Sequence, residues 1–121
     1  MRKTIESVVN QTFTDFEFIV VVEPEDVNIS FLRNVQDMDR RVVVIENEKR
    51  LGVAGSRNRA IKASTGKYVA IIDGDDYCDP FRLEKQILFL EKNPDVSVVG
   101  SNLYLIDDRG FVIGERVYPE W

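Results

Sequence analysis

Three short apolar runs, Phe-Ile-Val-Val-Val at 18–22, Val-Val-Val-Ile at 42–45 and Tyr-Val-Ala-Ile-Ile at 68–72, recur along the chain with helical patterns between them. A strand that is apolar at every position must be covered on both faces, so these runs call for a mostly parallel sheet with helices packed against it. Ile5, Val8 and Val9 fall at helical spacing before the first run. A second helix is expected over 29–38, and a third over 53–64, ended by Gly66. Asp79-Pro80 restarts helix, since Asp is a good N-cap and Pro is tolerated in the first turn. Its apolar stripe, Leu83, Ile87 and Leu90, stops before Asn93-Pro94. The last third changes character. Runs at 96–99 and 103–106 precede Asp107-Asp108-Arg109-Gly110 and a return at 111–113, the pattern of an antiparallel hairpin. The expected class is therefore α/β, with a C-terminal antiparallel hairpin after the parallel sheet.

Composition narrows what such a fold does. With 121 residues the chain is one domain's worth, and 44% hydrophobic with 31% charged residues describes an ordinary soluble globular protein. A formal net charge of -5 argues against nucleic acid as a partner, and the basic residues are scattered. Cys78 is the single cysteine and forms no internal disulfide, and no run is apolar and long enough for a signal peptide or membrane span. A cytoplasmic location fits best. There is no histidine, which excludes histidine-based triads and histidine-ligated zinc and leaves carboxylates as the obvious catalytic groups.

The carboxylates concentrate where the 68–72 run ends in Asp73-Gly74-Asp75-Asp76. Acids this close repel one another, the more so as protein displaces water, and a bound cation would relieve them. Hard oxygen ligands suit Mg2+ or Mn2+, and Mg2+ is usually held by one or two carboxylates together with substrate phosphates. Gly74, without a Cβ, would let a ligand approach the backbone. A solvated acidic turn is the competing reading. Ligands of open α/β sheets bind beyond the carboxyl ends of strands, and Glu23-Pro24-Glu25-Asp26 occupies a second such end, so the two acidic segments are expected to flank one pocket. On the 53–64 helix, Val53, Arg57 and Ile61 are successive i, i+4 neighbours, which places Arg57 on the stripe expected to face the sheet and sends Arg59 to solvent. A guanidinium held there needs an anion, either a neighbouring Asp or a ligand phosphate. Gly52 and Gly55 near the helix start match neither a Walker A loop nor the dinucleotide fingerprint.

Taken together, Ser7-Val8-Val9-Asn10-Gln11-Thr12, the 18–22 run, Gly52-Val53-Ala54-Gly55-Ser56-Arg57-Asn58, Gly66-Lys67-Tyr68-Val69 and Asp73-Gly74-Asp75-Asp76 followed by Pro80 resemble family 2 glycosyltransferases in order and spacing. The resemblance covers nearly the whole chain, including the 106–110 turn. It implies the GT-A nucleotide-diphospho-sugar transferase fold and transfer of a sugar from a nucleotide-diphospho-sugar donor to a glycan, lipid or protein acceptor, with inversion. By this similarity Asp73 and Asp75 match the DXD element, which engages the donor ribose and a Mg2+ or Mn2+ ion on its diphosphate, with Asp75 the preferred metal ligand. Arg57 matches the arginine of the family's Arg-Asn pair near the donor nucleotide. Glu23 falls near the acidic position that commonly recognises the base, although Val22-Glu23-Pro24-Glu25 replaces the usual Asp-Asp-Gly-Ser.

The ends depart from the family pattern. The sequence starts within what looks like the helix after the family's first strand, and Trp121 comes before the segment that usually supplies the catalytic base, so no residue is named as base. Residues 1–121 are accordingly expected to form a single partial GT-A donor-binding domain, its absent first strand replaced by direct closure of the neighbouring strands or by a strand from another chain. Residence at a membrane surface is compatible with this reading. A non-catalytic nucleotide-sugar-binding or interaction module is the alternative. A phosphoacceptor receiver domain with Asp73 as acceptor lacks a late strand ending in Lys, and an EF-hand fails because Cys78 stands where its sharp-turn Gly is required.

Overall fold

The computed structural model describes residues 1–26 and 28–119. Eight elements follow in order: α1 (Arg2–Val9), β1 (Phe18–Val22), α2 (Ile29–Met38), β2 (Val42–Glu46), α3 (Gly52–Ala63), α4 (Arg82–Lys92), β3 (Leu103–Ile106) and β4 (Val112–Arg116). They divide into two compact units, Met1–Lys85 and the residues from Gln86 onward, with the division inside α4.

The first unit is built on a parallel pair. β1 and β2 run side by side with Phe18 opposite Val42 and Val22 opposite Glu46. α2 makes the crossover, and its Leu32 is 0% exposed. Ile5 from α1, Val22, Val42 and Val44 from the strands and Leu32 form the buried cluster, with Val9, Phe18, Val20, Ile29, Phe31 and Val35 packed around it. The apolar stripes of the helices bury Val42 and Val44 on one face of β2, whereas Val43 on the other is 42% exposed, so the cover expected on both faces is incomplete.

A charged pair ties the ends of three elements together. The Arg41 fork donates from Nε to Asp39 Oδ1 at 3.0 Å and from Nη2 to Asp39 Oδ2 at 2.6 Å. Nη2 also donates to the Val9 carbonyl at 2.8 Å, and the guanidinium lies 4.5 Å from the centre of the Phe16 ring. The end of α1, the cap of α2 and the start of β2 thus share one guanidinium. A shallow groove of about 680 Å³ lies here, lined by Thr14, Asp15, Phe16, Glu17, Asp39, Arg40, Arg41 and Val43. It sits at the amino ends of β1 and β2, the end of the sheet away from the acidic loops, and it has no part in the chemistry considered below.

In the second unit β3 and β4 form the expected antiparallel hairpin, with a register shift at Leu105/Ile106. Asp107 organises the turn. Its Oδ1 accepts from the Arg109 amide at 3.0 Å and the Phe111 amide at 2.8 Å, and Gly110 takes a φ of 90° that favours glycine.

Several expectations need correction. The runs at 68–72 and 96–99 form no strand, and each lies outside both two-stranded sheets. A run of β-branched residues becomes a strand only when a partner backbone completes its ladder, and among the described residues none lies alongside. Direct closure of the neighbouring strands is therefore not formed, since β1 pairs with β2 and not with 68–72. α3 ends at Ala63, where Ser64 takes an extended conformation, and Gly66 is not its terminator. The Thr65 and Gly66 amides instead donate to Glu17 Oε1, which lowers the Glu17 pKa chiefly through the Thr65 amide.

The Asp39–Arg41 pair predicts an acid-sensitive contribution to stability. Arg41 hydrogen bonding, from side chain and amide, lowers the Asp39 pKa from 3.8 to about 2. A depressed folded-state pKa means that the contribution is present above the unfolded value and is lost as pH falls from about 4 through about 2. Asp39→Asn should remove this part of the acid dependence, worth about 1–2 kcal/mol, as read by urea unfolding at pH 7 and pH 2.5.

Candidate functional site

Parallel pairing sends the carboxyl ends of β1 and β2 out on the same side of the sheet. Glu23 follows β1 and Asn47 follows β2, and the Asn47 amide donates to the Val22 carbonyl at 2.9 Å. α3 begins just beyond, with Gly52 at a φ of 68° and no side-chain cap of its own. Glu23 supplies the missing anion: its Oε2 accepts from the Leu51 amide at 3.1 Å and its Oε1 from Ser56 Oγ at 3.0 Å. A carboxylate at a helix N-terminus meets the positive end of the helix dipole and its orphan N–H groups. Partial removal from water raises the Glu23 pKa, but hydrogen bonds from Leu51, Ser56, Asn47 and Gly52 outweigh it, leaving the carboxyl below its ordinary 4.5.

Asn47, which is 4% exposed, extends this network. Its Nδ2 donates to Ser56 Oγ at 2.8 Å and its Oδ1 accepts from Arg59 at 2.6 Å. Arg59 also donates to the Glu46 carbonyl at 2.9 Å, so it does not point to solvent as its helical phase suggested. The phase was set by Val53 and Ile61, which are 73% and 42% exposed. Small residues Gly55, Ser56 and Ala60 lie on the more covered face with Arg59, and side-chain size rather than hydropathy decides how α3 approaches β1.

The residue after Ser56 reaches the other acidic segment. Arg57 Nη2 donates to Asp73 Oδ1 at 2.8 Å, with side chains 39% and 61% exposed. Of the two anions its chemistry suggested, the neighbouring Asp is the one present. An ion pair this exposed contributes about 1 kcal/mol or less. Ser56 and Arg57, adjacent on α3, thereby bond one helix to both acidic segments, through Glu23 and Asp73. Asp75 is exposed and in no ion pair among the described residues.

The acidic loop itself is held from below by α1. Thr4 Oγ1 donates to the Gly74 carbonyl at 2.8 Å, and the Cys78 amide donates to Ser7 Oγ at 3.2 Å. Gln11 Nε2 donates to the Asp79 carbonyl at 2.8 Å while its Oε1 accepts from the Leu83 amide at 3.0 Å. Asp79 caps the helix that follows, accepting from the Phe81 amide at 2.9 Å, as expected. The approach to Gly74 is occupied by Met1, whose Cε would stand 3.2 Å from an added Cβ. Thr4, Ser7 and Gln11 were not singled out from the sequence as site residues. Their signal was there, polar positions spaced three and four apart beside the apolar pair Ile5 and Val8.

Among the described residues no three acidic, cysteine or histidine side chains converge on a point that could hold a metal ion. The donor set at Asp73 and Asp75 is two exposed hard-oxygen groups, which fits an ion completed by ligand phosphates rather than a protein cage.

The profile of Glycosyl transferase family 2 matches residues 1–117. An uncharacterized glycosyltransferase of Methanocaldococcus jannaschii is 40% identical over 117 residues, 95% of this chain and 40% of that protein. An uncharacterized glycosyltransferase of Haemophilus influenzae is 34% identical over 108 residues, covering 88% of this chain and 33% of its own length. The UDP-Glc:alpha-D-GlcNAc-diphosphoundecaprenol beta-1,3-glucosyltransferase WfgD of Escherichia coli is 32% identical over 117 residues, 97% of this chain and 45% of that enzyme. The chain thus spans between 33% and 45% of the length of these relatives.

The two kinds of contact at this site should separate in unfolding experiments. Arg57→Ala is expected to change stability by about 1 kcal/mol or less. Gln11→Leu leaves the Leu83 amide without its partner, while the Asp79 carbonyl keeps the Arg82 amide at 3.0 Å, and should cost about 1–2 kcal/mol in urea denaturation.

Proposed function

Since the chain belongs to glycosyl transferase family 2, we propose that its first unit holds the donor of a sugar-transfer reaction, a nucleotide diphospho-sugar, between the Glu23 and Asp73–Asp76 segments. The observation that carries this reading is the joining of both acidic segments to α3 through the adjacent residues Ser56 and Arg57. Arg57 is the cation ion-paired with the acidic loop among the described residues, and a planar fork of donors suits a diphosphate as well as it suits Asp73. Release from a weak exposed pair costs little, so a doubly charged phosphate group competes for the guanidinium on favourable terms. The positive end of α3 adds to the same preference for negative charge.

Asp75, with Asp73 beside it, would hold a Mg2+ or Mn2+ ion, which when bound offsets charge developing on the diphosphate as the sugar bond breaks. The remaining work falls to the chain's own groups. Arg57 orients the diphosphate, and Asp73 accepts from the ribose hydroxyls once Arg57 turns to phosphate. Glu23 accepts from the base through the carboxylate lone pairs left after the Leu51 amide and Ser56 are bound, and its lowered pKa keeps it an acceptor at neutral pH. Transfer to the acceptor hydroxyl proceeds with inversion in this reading. The similarity to WfgD, named for glucosyl transfer from UDP-Glc to a diphosphoundecaprenol-linked sugar, makes UDP-glucose the first donor to try and a lipid-linked diphosphate sugar the first acceptor class. Reaction at the cytoplasmic membrane surface follows from such an acceptor. No helix among the described residues is long and apolar enough to cross a membrane.

Calorimetric titration with UDP-glucose and other nucleotide sugars, with and without Mn2+, tests the proposal. Wild-type protein should bind a donor more tightly with Mn2+, and Asp75→Asn should abolish most of that metal-linked gain while leaving the unfolding midpoint close to wild type. A metal-linked gain unchanged by the substitution would remove Asp75 from the site.

A further inference from the structure

We infer that Thr4, Ser7 and Gln11 are positioning residues for the acidic loop, setting from α1 the direction in which Asp73 and Asp75 present their carboxylates. The inference rests on the donor site proposed above and adds to it residues that touch neither donor nor metal.

The backbone between Gly74 and Leu83 belongs to no sheet, so it needs other partners for its polar groups. Three side chains supply them: Thr4 takes the Gly74 carbonyl, Ser7 the Cys78 amide, and Gln11 both the Asp79 carbonyl and the Leu83 amide. The Thr12 amide adds a bond to the Pro80 carbonyl at 2.9 Å. Thr4 and Gln11 are 3% and 4% exposed, and buried side chains with fixed partners have one geometry available. The same stretch of chain carries Ile5 and Val8 into the core, at 2% and 7% exposed. The loop is therefore registered against the sheet core through α1 rather than through a strand ladder.

Thr4 is the most informative of the three. The carbonyl that it binds belongs to Gly74, between Asp73 and Asp75, so the hydroxyl fixes the peptide plane from which Asp75 departs. Gly74, lacking a Cβ, has wide backbone freedom, and without this bond the plane can rotate. Asp76 closes the turn by donating its amide to the Asp73 carbonyl at 3.2 Å, the upper end of the ordinary range.

Thr4→Val keeps the side chain's shape and removes the hydroxyl; Thr4→Ser keeps the hydroxyl. Two readouts are needed, hydrogen exchange of the Asp76 amide, which is bonded to the Asp73 carbonyl, in the free protein, and UDP-glucose affinity with and without Mn2+. Thr4→Val should speed exchange at the Asp76 amide and reduce the Mn2+-linked gain in affinity about three- to tenfold, the equivalent of one hydrogen bond, while Thr4→Ser restores both. A purely structural role would lower the unfolding midpoint and leave the Mn2+-linked gain untouched, which would overturn the inference. Unchanged exchange in Thr4→Val would overturn it as well. If wild-type protein binds no nucleotide sugar, the donor reading fails, and the exchange result alone decides whether Thr4 positions the loop.

Discussion

The parallel pairing of β1 with β2 is the constraint on which the rest depends. Parallel strands require a crossover, and α2 supplies it by burying Leu32 completely. Parallel direction also places the carboxyl ends of both strands on one edge. With Val22 opposite Glu46, the residues that follow, Glu23 and Asn47, emerge side by side. An antiparallel pair would send one of them to the far edge and dismantle the network that receives α3.

Two helices then carry the position of the sheet outward. α3 is docked through polar groups: Glu23 on its first amides, Asn47 on Ser56, and Arg59 back onto the end of β2. α1 is docked through apolar residues on one side and presents hydroxyl and amide groups to the acidic loop on the other. Asp73 is reached from both directions, by the Arg57 guanidinium from α3 and by the α1 bracket at the next peptide. The site is a loop clamped between two helices whose own placements derive from one strand pair.

What could be read from the sequence follows from which interactions are local. The helices at α1, α2 and α4 came through because each carries its own apolar period, and the two paired strands because their β-branched runs find each other across α2. Residues 68–72 and 96–99 have equally apolar composition and form no strand, since a ladder depends on a partner backbone that composition does not report. The N-cap at Asp79 and the turn at Asp107 were legible because each bonds within four residues of itself. That Arg57 needs an anion was legible from its charge and helical position, and the Asp73 it meets was one of two open alternatives. Arg59 was misplaced, since its contacts at Glu46 and Asn47 depend on how closely small residues let α3 approach.

The central claim, that the Glu23 and Asp73–Asp76 segments form one donor site on the frame of α1 and α3, has a direct spectroscopic test. Mn2+ is paramagnetic and broadens amide signals close to it, so a two-dimensional NMR titration of the chain with UDP-glucose and substoichiometric Mn2+ maps the ion. The account predicts broadening concentrated at residues 73–76, extending to Ser56, Arg57 and Glu23, and dependent on the nucleotide sugar. Broadening centred instead on the Asp107–Asp108 turn, or at 73–76 to the same extent without nucleotide sugar, would contradict it.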